Sequence, residues 1–273
     1  HFETNQNASN SQLEEQLGVK LLDRTGRKVR PTDAGTAFLA HARRALNAVE
    51  AAGRAAQDVE DLSSGMVRIG VPPSFSGYLT APLVRRFLDR YPGIRLHLAD
   101  MAQEDIEKAL GDDSVDLGIA FSDVRSDDVE WQPLHAERLT LTMAEGHPAE
   151  HLTVIDRATL QSMDMVLLGP DFATRKLVDA HFLRHGLRPR IAVEASAMMT
   201  IVEIVRKSRL VTILPDVVVR EQPALVTRPI EQPFDPRRVA LLQRRAGYRS
   251  AATRAFVETT QAFAAELENS GRV

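Results

Sequence analysis

The sequence predicts a mixed α/β protein in which a short basic hairpin and a long helix precede two similar α/β lobes. Basic residues cluster between Lys20 and Arg30, and the stretch from Thr32 to about Leu62 is rich in alanine and free of proline. Strand and helix patterns then alternate twice between Met66 and Ile213. This alternation is typical of parallel sheets with crossover helices.

Composition limits the classes of protein that the chain can belong to. A length of 273 residues suggests more than one domain, and a net charge of −3 confines any contact with DNA to a local basic patch. The absence of cysteine excludes disulfides, thiolate metal sites and a cysteine nucleophile. Since neither a long apolar span nor a signal peptide is evident, we expect a cytoplasmic protein without a membrane segment.

The first informative segment runs from Leu13 to Gly35. Leu13, Leu17 and Leu22 form an apolar stripe, and Gly18 is a helix stop. The hairpin segment contains one acid, Asp23, and five basic residues: Lys20, Arg24, Arg27, Lys28 and Arg30. Positive charge at the tip of a hairpin is suited to contact with a phosphate backbone. Judged from charge alone, however, the favoured interpretation is an ordinary solvated basic turn.

The segment before this one, His1 to Asn10, is polar and lacks helical periodicity. We interpret it as a disordered lead, a tag remnant or residues joined across a gap.

A long helix is expected next, with Thr32 as its N-cap and Asp33 in its first turn. Its apolar residues alternate at intervals of four and three, which indicates a coiled-coil seam and a partner helix. The alternative is a surface helix packed on its own domain. The seam residues are Phe38, Ala42, Ala45, Val49, Ala52, Ala56 and Val59.

Two α/β lobes joined by two crossing segments are predicted after Gly65. The segment Pro73–Ser76 matches Pro170–Ala173, and each lies between the first strand of its lobe and the following helix. The remaining strands are expected at 94–99, 115–120, 138–144, 191–194, 210–213 and 239–244.

A ligand site is expected in the cleft between these lobes, because ligands collect at the carboxyl ends of strands and near helix N-termini. Unpaired N–H groups and nearby hydroxyls there favour a small anion, such as a carboxylate or an inorganic pseudohalide. Each hydroxyl can also be a simple N-cap. The candidate residues are Ser74, Phe75, Ser76, Gln103, Ala120, Phe121, Phe172, Ala173, Thr174, Ser196 and Ala197.

The run from Leu13 to Gly35 resembles the wing of LysR-type transcriptional regulators. The resemblance rests on a glutamate pair, Leu-Gly-Val, Leu-x-Asp-Arg, a basic tip and Thr-Asp-Ala-Gly. It implies that Arg24, Arg27, Lys28 and Arg30 bind double-stranded DNA and that the long helix pairs subunits in a homodimer or homotetramer. It also implies two further helices before the wing, including the recognition helix, which are not found in residues 1–12.

The lobes resemble the effector domain of the same regulators, which is similar to periplasmic solute-binding proteins. Segments 72–75, 101–107, 117–121, 172–175 and 211–215 are most similar to the cyanate-operon regulator group, which implies cyanate or a related small anion. We therefore expect a winged-helix remnant over 1–31, a linker helix over 32–64 and an effector domain over 65–273. Lobe I is expected at about 65–140 and 245–273, and lobe II at about 141–244.

Other functions fit the sequence less well. A solute-binding receptor of the same fold is the alternative, but it has no use for a wing or a coiled-coil helix. An enzyme needs a paired acid and base in the cleft, and none is found; no cofactor motif is present either. His181 and His185 are spaced for a metal but lack the expected glutamate, so no metal is predicted. Arg175 is either an anion partner or a surface charge.

Overall fold

The computed structural model describes residues 2–26, 28–57, 62–220 and 222–270. The chain divides into two compact units, one ending at Gln57 and the other beginning at Asp58. Among the described residues, none of the helices combines the length and the apolar character that a membrane crossing requires.

The first unit consists of two helices and a two-stranded antiparallel hairpin. Its elements are α1 (Phe2–Leu17), β1 (Leu22–Asp23), β2 (Arg30–Pro31) and α2 (Asp33–Gln57). The interpretation of residues 1–10 as a disordered lead is wrong from Phe2 onward, since these residues belong to α1. No proline or glycine interrupts the chain before Gly18, so the helix extends back from the apolar residues Leu13 and Leu17 despite its polar composition.

Helix α1 stops at Gly18, as the sequence predicts. Gly18 has a φ of +66°, and its N–H group bonds to the carbonyl of Glu15 while that of Val19 bonds to the carbonyl of Glu14. This is a Schellman motif, in which a residue in the left-handed conformation closes the last turn.

The hairpin is fixed to α1 by a single carboxylate. Glu14 is buried, and its Oε1 accepts the backbone N–H groups of Leu21 at 2.7 Å and Leu22 at 2.9 Å. These hydrogen bonds, first that of Leu22, hold the pKa of Glu14 below its ordinary value. Glu14 therefore stays ionised and ties the start of β1 to the preceding helix.

The other side of the hairpin is fixed to α2. Thr32 caps this helix as predicted: its Oγ1 accepts the N–H of Gly35 at 2.9 Å and donates to the carbonyl of Lys20 at 2.7 Å. Gly35 is buried, and a Cβ built on it would lie 1.9 Å from the carbonyl oxygen of Leu21. Only glycine allows α2 to approach the hairpin backbone this closely.

We expect Gly35→Ala to disrupt the joint between hairpin and helix, at a cost of about 1–3 kcal/mol or more, because the clash is with backbone. Peptide-level hydrogen exchange should show faster exchange of the amides around Leu21 and Thr32. Gly53→Ala is the matched control: it lies in the same helix with nothing within 4 Å of the added Cβ and should leave this exchange unchanged. If these amides of Gly35→Ala are protected from exchange as in the native chain, α2 does not approach the Leu21 carbonyl as closely as described.

The second unit contains ten strands and seven α-helices among its described residues. The strands are β3 (Gly65–Val71), β4 (Ile94–Asp100), β5 (Leu117–Phe121), β6 (Val129–Glu137), β7 (Leu139–Ala144), β8 (Asp164–Leu168), β9 (Arg190–Ala195), β10 (Thr212–Pro215), β11 (Leu225–Arg228) and β12 (Arg237–Arg244). The helices are α3 (Ala81–Arg90), α4 (Gln103–Gly111), α5 (Arg157–Ser162), α6 (Ala173–Arg184), α7 (Met198–Arg206), α8 (Asp216–Arg220) and α9 (Ala251–Ser270), of which α8 is little more than a single turn.

Lobe I is built on a five-stranded sheet with the order β4-β3-β5-β12-β6. Strands β3, β4 and β5 are parallel, and β12 runs antiparallel to both of its neighbours. Apolar side chains of the sheet pack against α3 and α9, with Phe75, Phe87 and Phe256 fully buried among them.

Lobe II has two groups of strands. Strand β7 lies between β10 and β11 in an antiparallel sheet, and β8 pairs in parallel with β9. Val211, directly before β10, bridges to Met165 of β8 and so connects the two groups. A separate apolar core forms here, around Leu141, Met165 and Ile213.

The predicted alternation of strands and helices is present, but four elements are not predicted: β6, α5, α8 and β11. Strand β6 contains Pro133 and a register shift opposite Val239 and Ala240, which interrupt its alternating pattern; proline is tolerated because β6 is an edge strand.

Strand β12 lies in the sheet of lobe I, so the predicted end of lobe II at 244 is too late. The chain crosses between lobes at Arg138 and again between Arg228 and Arg237.

Candidate functional site

A cavity of about 450 Å³ lies where the ends of β3, β4 and β5 face the N-terminus of α6. Both lobes contribute to its wall. Its lining residues are Pro72, Pro73, Ser74, Asp100, Met101, Ala102, Gln103, Glu104, Glu107, Phe121, Asp123, Arg125, Asp171, Phe172, Ala173, Thr174, Lys176 and Leu177.

The structure brings six of the eleven residues expected in the effector site to this cavity: Ser74, Gln103, Phe121, Phe172, Ala173 and Thr174. Ser74, Phe172, Ala173 and Thr174 lie in or directly after the two matching segments that follow β3 and β8. Gln103 is the first residue of α4, and Phe121 is the last residue of β5. The internal similarity seen in the sequence therefore places equivalent turns on opposite walls.

The other expected residues are not part of the described lining. Phe75 and Ala120 are fully buried; the Phe75 ring contacts those of Phe121 and Tyr78, with centroids 5.1 and 5.8 Å apart. Ser196 and Ala197 are exposed. The strand before them, β9, pairs only with β8 among the described strands, so it lies at the edge of its sheet. The side chain of Ser76 lies outside the described residues.

Gln103 shapes the cavity wall and uses its amide to do so. Its Oε1 accepts the backbone N–H of Phe121 at 3.0 Å, and its Nε2 donates to the Phe121 carbonyl at 3.0 Å and to Asp123 at 3.2 Å. Nearby Glu107 accepts the N–H groups of Arg125 and Ser126 at 3.0 and 2.9 Å. Both side chains hold the loop after β5 in place.

Next to the cavity lies a largely buried ion pair between two strands of lobe I. Arg237 donates from Nε to Oε1 of Glu137, which is fully buried. The same guanidinium donates from Nη2 to Oγ1 of Thr174 at 3.0 Å and lies 3.9 Å from the centroid of the Phe121 ring. Both of these contacts are to residues that line the cavity.

Tyr78 completes this group. Its hydroxyl donates to Oε2 of Glu137 at 2.6 Å. Burial, together with the nearby Glu137 carboxylate, raises the pKa of Tyr78 well above its ordinary value. The phenol therefore stays protonated, and Glu137 is held by one neutral and one cationic donor.

Carboxylates outnumber cations on the cavity wall: Asp100, Glu104, Glu107, Asp123 and Asp171 face only Arg125 and Lys176 among the described lining residues. Glu104 and Arg125 form an ion pair at 3.3 Å, and Glu107 is satisfied by backbone N–H groups. Sequence reasoning missed these acids and also missed Arg237. Only the arginine pair 237–238 beside a predicted strand signals the latter in the sequence.

His135 on β6 is buried, and within the described part of the chain neither ring nitrogen has a hydrogen-bond partner. Burial lowers the pKa of His135, although the nearby Glu137 and Asp216 carboxylates oppose the change. The folded protein thus holds His135 neutral at a pH where the unfolded chain begins to protonate it.

This difference predicts acid destabilisation. As the pH falls below about 6.5, the unfolded chain binds the proton first, so the free energy of unfolding decreases. His135→Leu should make the decrease between pH 7 and 5 smaller, as measured by the melting temperature, whereas leucine at the exposed His151 should not. An unchanged pH dependence in His135→Leu would show that another group causes it; buried His181, whose pKa is also lowered by burial, is the next candidate.

The histidine pair and Arg175 make their described contacts within lobe II. The buried ring of His181 lies 4.1 Å from the Phe234 ring centroid and 4.5 Å from that of His185. No group of three or more potential metal ligands occurs in the described ranges. Arg175 bonds to the Leu168 carbonyl and pairs with Asp179 and Glu194 at 2.8 and 2.7 Å, so its charge is engaged within lobe II.

The surfaces expected to bind DNA and a second subunit lie on the first unit. Arg24, Lys28 and Arg30 are exposed, and Arg27 lies outside the described residues. On α2, Phe38 and Ala42 are half-buried, while Ala45, Val49 and Ala52 are exposed. The Ala56 side chain and Val59 lie outside the described part. Leu46 and Val49 are 64% and 69% exposed, which leaves an apolar face on α2 uncovered.

A two-lobed domain with a cavity at its strand ends, on one chain with a basic hairpin and a long helix, defines a ligand-responsive regulator as the class of protein. Comparison with known families agrees. Residues 60–265 match the LysR substrate binding domain, and residues 11–36 match the bacterial regulatory helix-turn-helix protein of the lysR family. The chain belongs to the LysR family, which confirms the prediction from the wing.

Two curated relatives show the range of similarity. The transcriptional dual regulator GltC of Bacillus subtilis is 26% identical over 239 residues, which cover 85% of this chain and 78% of GltC. A probable RuBisCO transcriptional regulator of Thalassiosira pseudonana is 26% identical over 181 residues, which cover 64% of this chain and 59% of that protein. The chain thus matches less than two thirds of the latter's length.

Solved structures confirm the fold. A full-length point variant of OxyR from Pseudomonas aeruginosa superimposes with a TM-score of 0.71 at 23% identity, covering 93% of this chain and 87% of OxyR. The CcmR regulatory domain of Synechocystis PCC6803 in complex with 2-PG gives 0.66 at 20% identity, covering 74% and 98%. CbnR complexed with its target DNA gives 0.60 at 23% identity, covering 93% and 87%.

Proposed function

We propose that this protein is a cytoplasmic transcription regulator, not an enzyme, that binds double-stranded DNA through its wing and a small anion between its lobes. The observation that carries the proposal is the rigid attachment of a basic hairpin to a helix with an uncovered apolar face. Thr32 and Gly35 make that attachment, and Glu14 fixes the same hairpin to α1. A free-standing solute receptor has no need of it.

The wing is suited to contacts with the phosphate backbone. Arg24, Lys28 and Arg30 are exposed on a hairpin whose flanking backbone is fixed at both ends. Such contacts supply affinity and position but carry no direct sequence information. The fold shared with the DNA complex of CbnR supports this placement.

Helix α2 is suited to pairing with the same helix of a second subunit. Its 25 residues correspond to about 38 Å at 1.5 Å per residue, and the predicted seam residues Ala45, Val49 and Ala52 are exposed. The small seam residues allow close approach, while Leu46 and Val49 supply apolar area. Pairing in a homodimer, or in a homotetramer built from two pairs, presents two wings to one DNA duplex.

The cavity is suited to a small, singly charged anion bound at its α6 side. Helix α6 directs its first N–H groups at this wall, beside the Thr174 hydroxyl and the guanidinium of Arg237. The acid-rich remainder of the wall disfavours a large polyanion. We infer a carboxylate or cyanate as the effector class, and the 2-PG complex of CcmR supports an anion in this fold.

Effector binding regulates DNA binding only if the anion prefers one arrangement of the lobes. A coupling free energy of about 1–3 kcal/mol, typical of such systems, changes DNA affinity by roughly 5–150-fold.

A thermal-shift panel of cyanate, inorganic phosphate, shikimate and simple carboxylates tests the effector site. We expect at least one anion to raise the melting temperature, and Ser74→Ala combined with Thr174→Val to abolish that shift. Ser162→Ala, a hydroxyl removed from exposed surface, is the control. A shift that persists in the double variant would place the site elsewhere.

A further inference from the structure

Arg237 occupies the point at which the two lobes are joined. It is the first residue of β12, directly after the second crossing, and Glu137 is the last residue of β6, directly before the first crossing. The two residues are Cα partners in the antiparallel pair. Their ion pair therefore fastens the two crossing strands to each other where both leave lobe I.

The same guanidinium also reaches both walls of the cavity. It bonds to Thr174 in the first turn of α6, which belongs to lobe II, and it lies over the Phe121 ring at the end of β5, which belongs to lobe I. The largely buried guanidinium of Arg237 thus contacts Glu137 where the lobes are joined, one cavity-wall residue from each lobe, and the first turn of α6.

One nitrogen of the Arg237 guanidinium remains available as a hydrogen-bond donor. Its Nε donates to Glu137 and its Nη2 to Thr174, while Nη1 has no hydrogen-bond partner among the described residues. Glu137 also accepts a hydrogen bond from the Tyr78 hydroxyl. The guanidinium is therefore able to bind a further anionic partner.

We propose that Arg237 is a positioning residue that couples occupancy of the cavity to closure of the lobes, by binding the effector anion together with Thr174. This inference rests on the proposed effector site. An anion held between Thr174 and Arg237 draws α6 towards β12 and is bound best when the lobes are closed. Differential affinity of this kind is what a ligand needs to shift a conformational equilibrium.

The test compares the native full chain with Arg237→Met/Glu137→Gln. The double variant removes both charges together, so neither is left buried alone, and the new glutamine side chain keeps an acceptor for Tyr78. Arg244→Met/Asp113→Asn is the matched control, because it removes an ion pair from the other end of β12. The probe is whichever of cyanate, inorganic phosphate or shikimate the native chain binds most tightly by calorimetry.

Lobe closure is measured with spin labels on Glu258→Cys in α9 and Leu183→Cys in α6, both exposed, in a chain that has no other cysteine. Labelled protein is diluted with unlabelled protein, so that distances between subunits do not contribute. We expect the probe to shorten the distance in the native chain and in the control. In the double variant we expect at least a tenfold weaker affinity and no change in distance.

Native affinity and native shortening in the double variant would overturn the role of Arg237 while leaving the effector site intact. Weakened affinity with full shortening would also overturn it, since Arg237 would then bind without coupling. If the native chain binds none of the three probes, the proposed anion site itself fails, and the role of Arg237 fails with it.

Discussion

Replacing Arg237 with methionine alone is expected to lower the free energy of unfolding by about 3–5 kcal/mol. The substitution leaves the carboxylate of Glu137 fully buried, and the Tyr78 hydroxyl is then its one hydrogen-bond donor among the described residues. It also removes the donor to Thr174 and the cation over the Phe121 ring. Urea unfolding followed by the fluorescence of the single tryptophan, Trp131, reports on this directly, because Trp131 lies on the same strand as Glu137.

Two comparisons distinguish loss of the ion pair from a general effect of the substitution. Adding Glu137→Gln should recover most of the loss, because it removes the uncompensated charge. Arg244→Met should cost no more than about 1 kcal/mol, since the Arg244–Asp113 pair is partly exposed. A loss below about 1 kcal/mol for Arg237→Met would show that Glu137 is not the buried, charged partner that the structure describes.

Placing glutamate at both Leu46 and Val49 is expected to dissociate the subunits. Each of these side chains is more than 60% exposed within one chain, so their burial must come from a partner helix. Burying one such side chain contributes about 1.5–3 kcal/mol, and each site occurs twice in a symmetric pair. The dissociation constant should rise by roughly a hundredfold or more, as measured by analytical ultracentrifugation.

Ala40→Glu is the control for this change. It lies on the same helix and is also exposed, but nine positions before Val49 it projects from the opposite side of the helix, so the oligomer should persist. Helix content by circular dichroism should be similar in both variants. If the native chain is monomeric at micromolar concentration, α2 does not pair subunits in the way we propose.

Local chemistry explains what the sequence alone predicts correctly. The stop at Gly18 and the cap at Thr32 follow from residue types that act within one helical turn, and both are present. Most strands and helices of the lobes follow from their hydrophobic periods. The two turns on opposite cavity walls can be located because each follows the first strand of its lobe and precedes a helix.

The errors have a common physical origin in contacts between distant residues. Arg237 and Glu137 are 100 positions apart, and Arg237 and Thr174 are 63 apart, so no local pattern connects them. Ser196 and Ala197 are candidates in the sequence because they precede a helix, but only the pairing of strands shows that β9 is an edge strand. Gln103 lines the cavity as expected, but the sequence does not show that its amide also bonds to the backbone of Phe121, 18 positions away.

The wing is expected to contact the phosphate backbone of DNA, and the salt dependence of binding to a duplex of arbitrary sequence measures such contacts. The variant carries glutamine in place of Arg24, Lys28 and Arg30. Its control carries glutamine in place of Arg85, Arg95 and Lys108, which are exposed on the second unit and change net charge equally. We expect the slope of the logarithm of the DNA association constant against the logarithm of salt concentration to fall in magnitude by about 0.9 for each phosphate that the wing variant no longer neutralises. The control should keep the native slope. Equal slopes for the native chain and the wing variant would contradict the expected contact between the wing and the phosphate backbone.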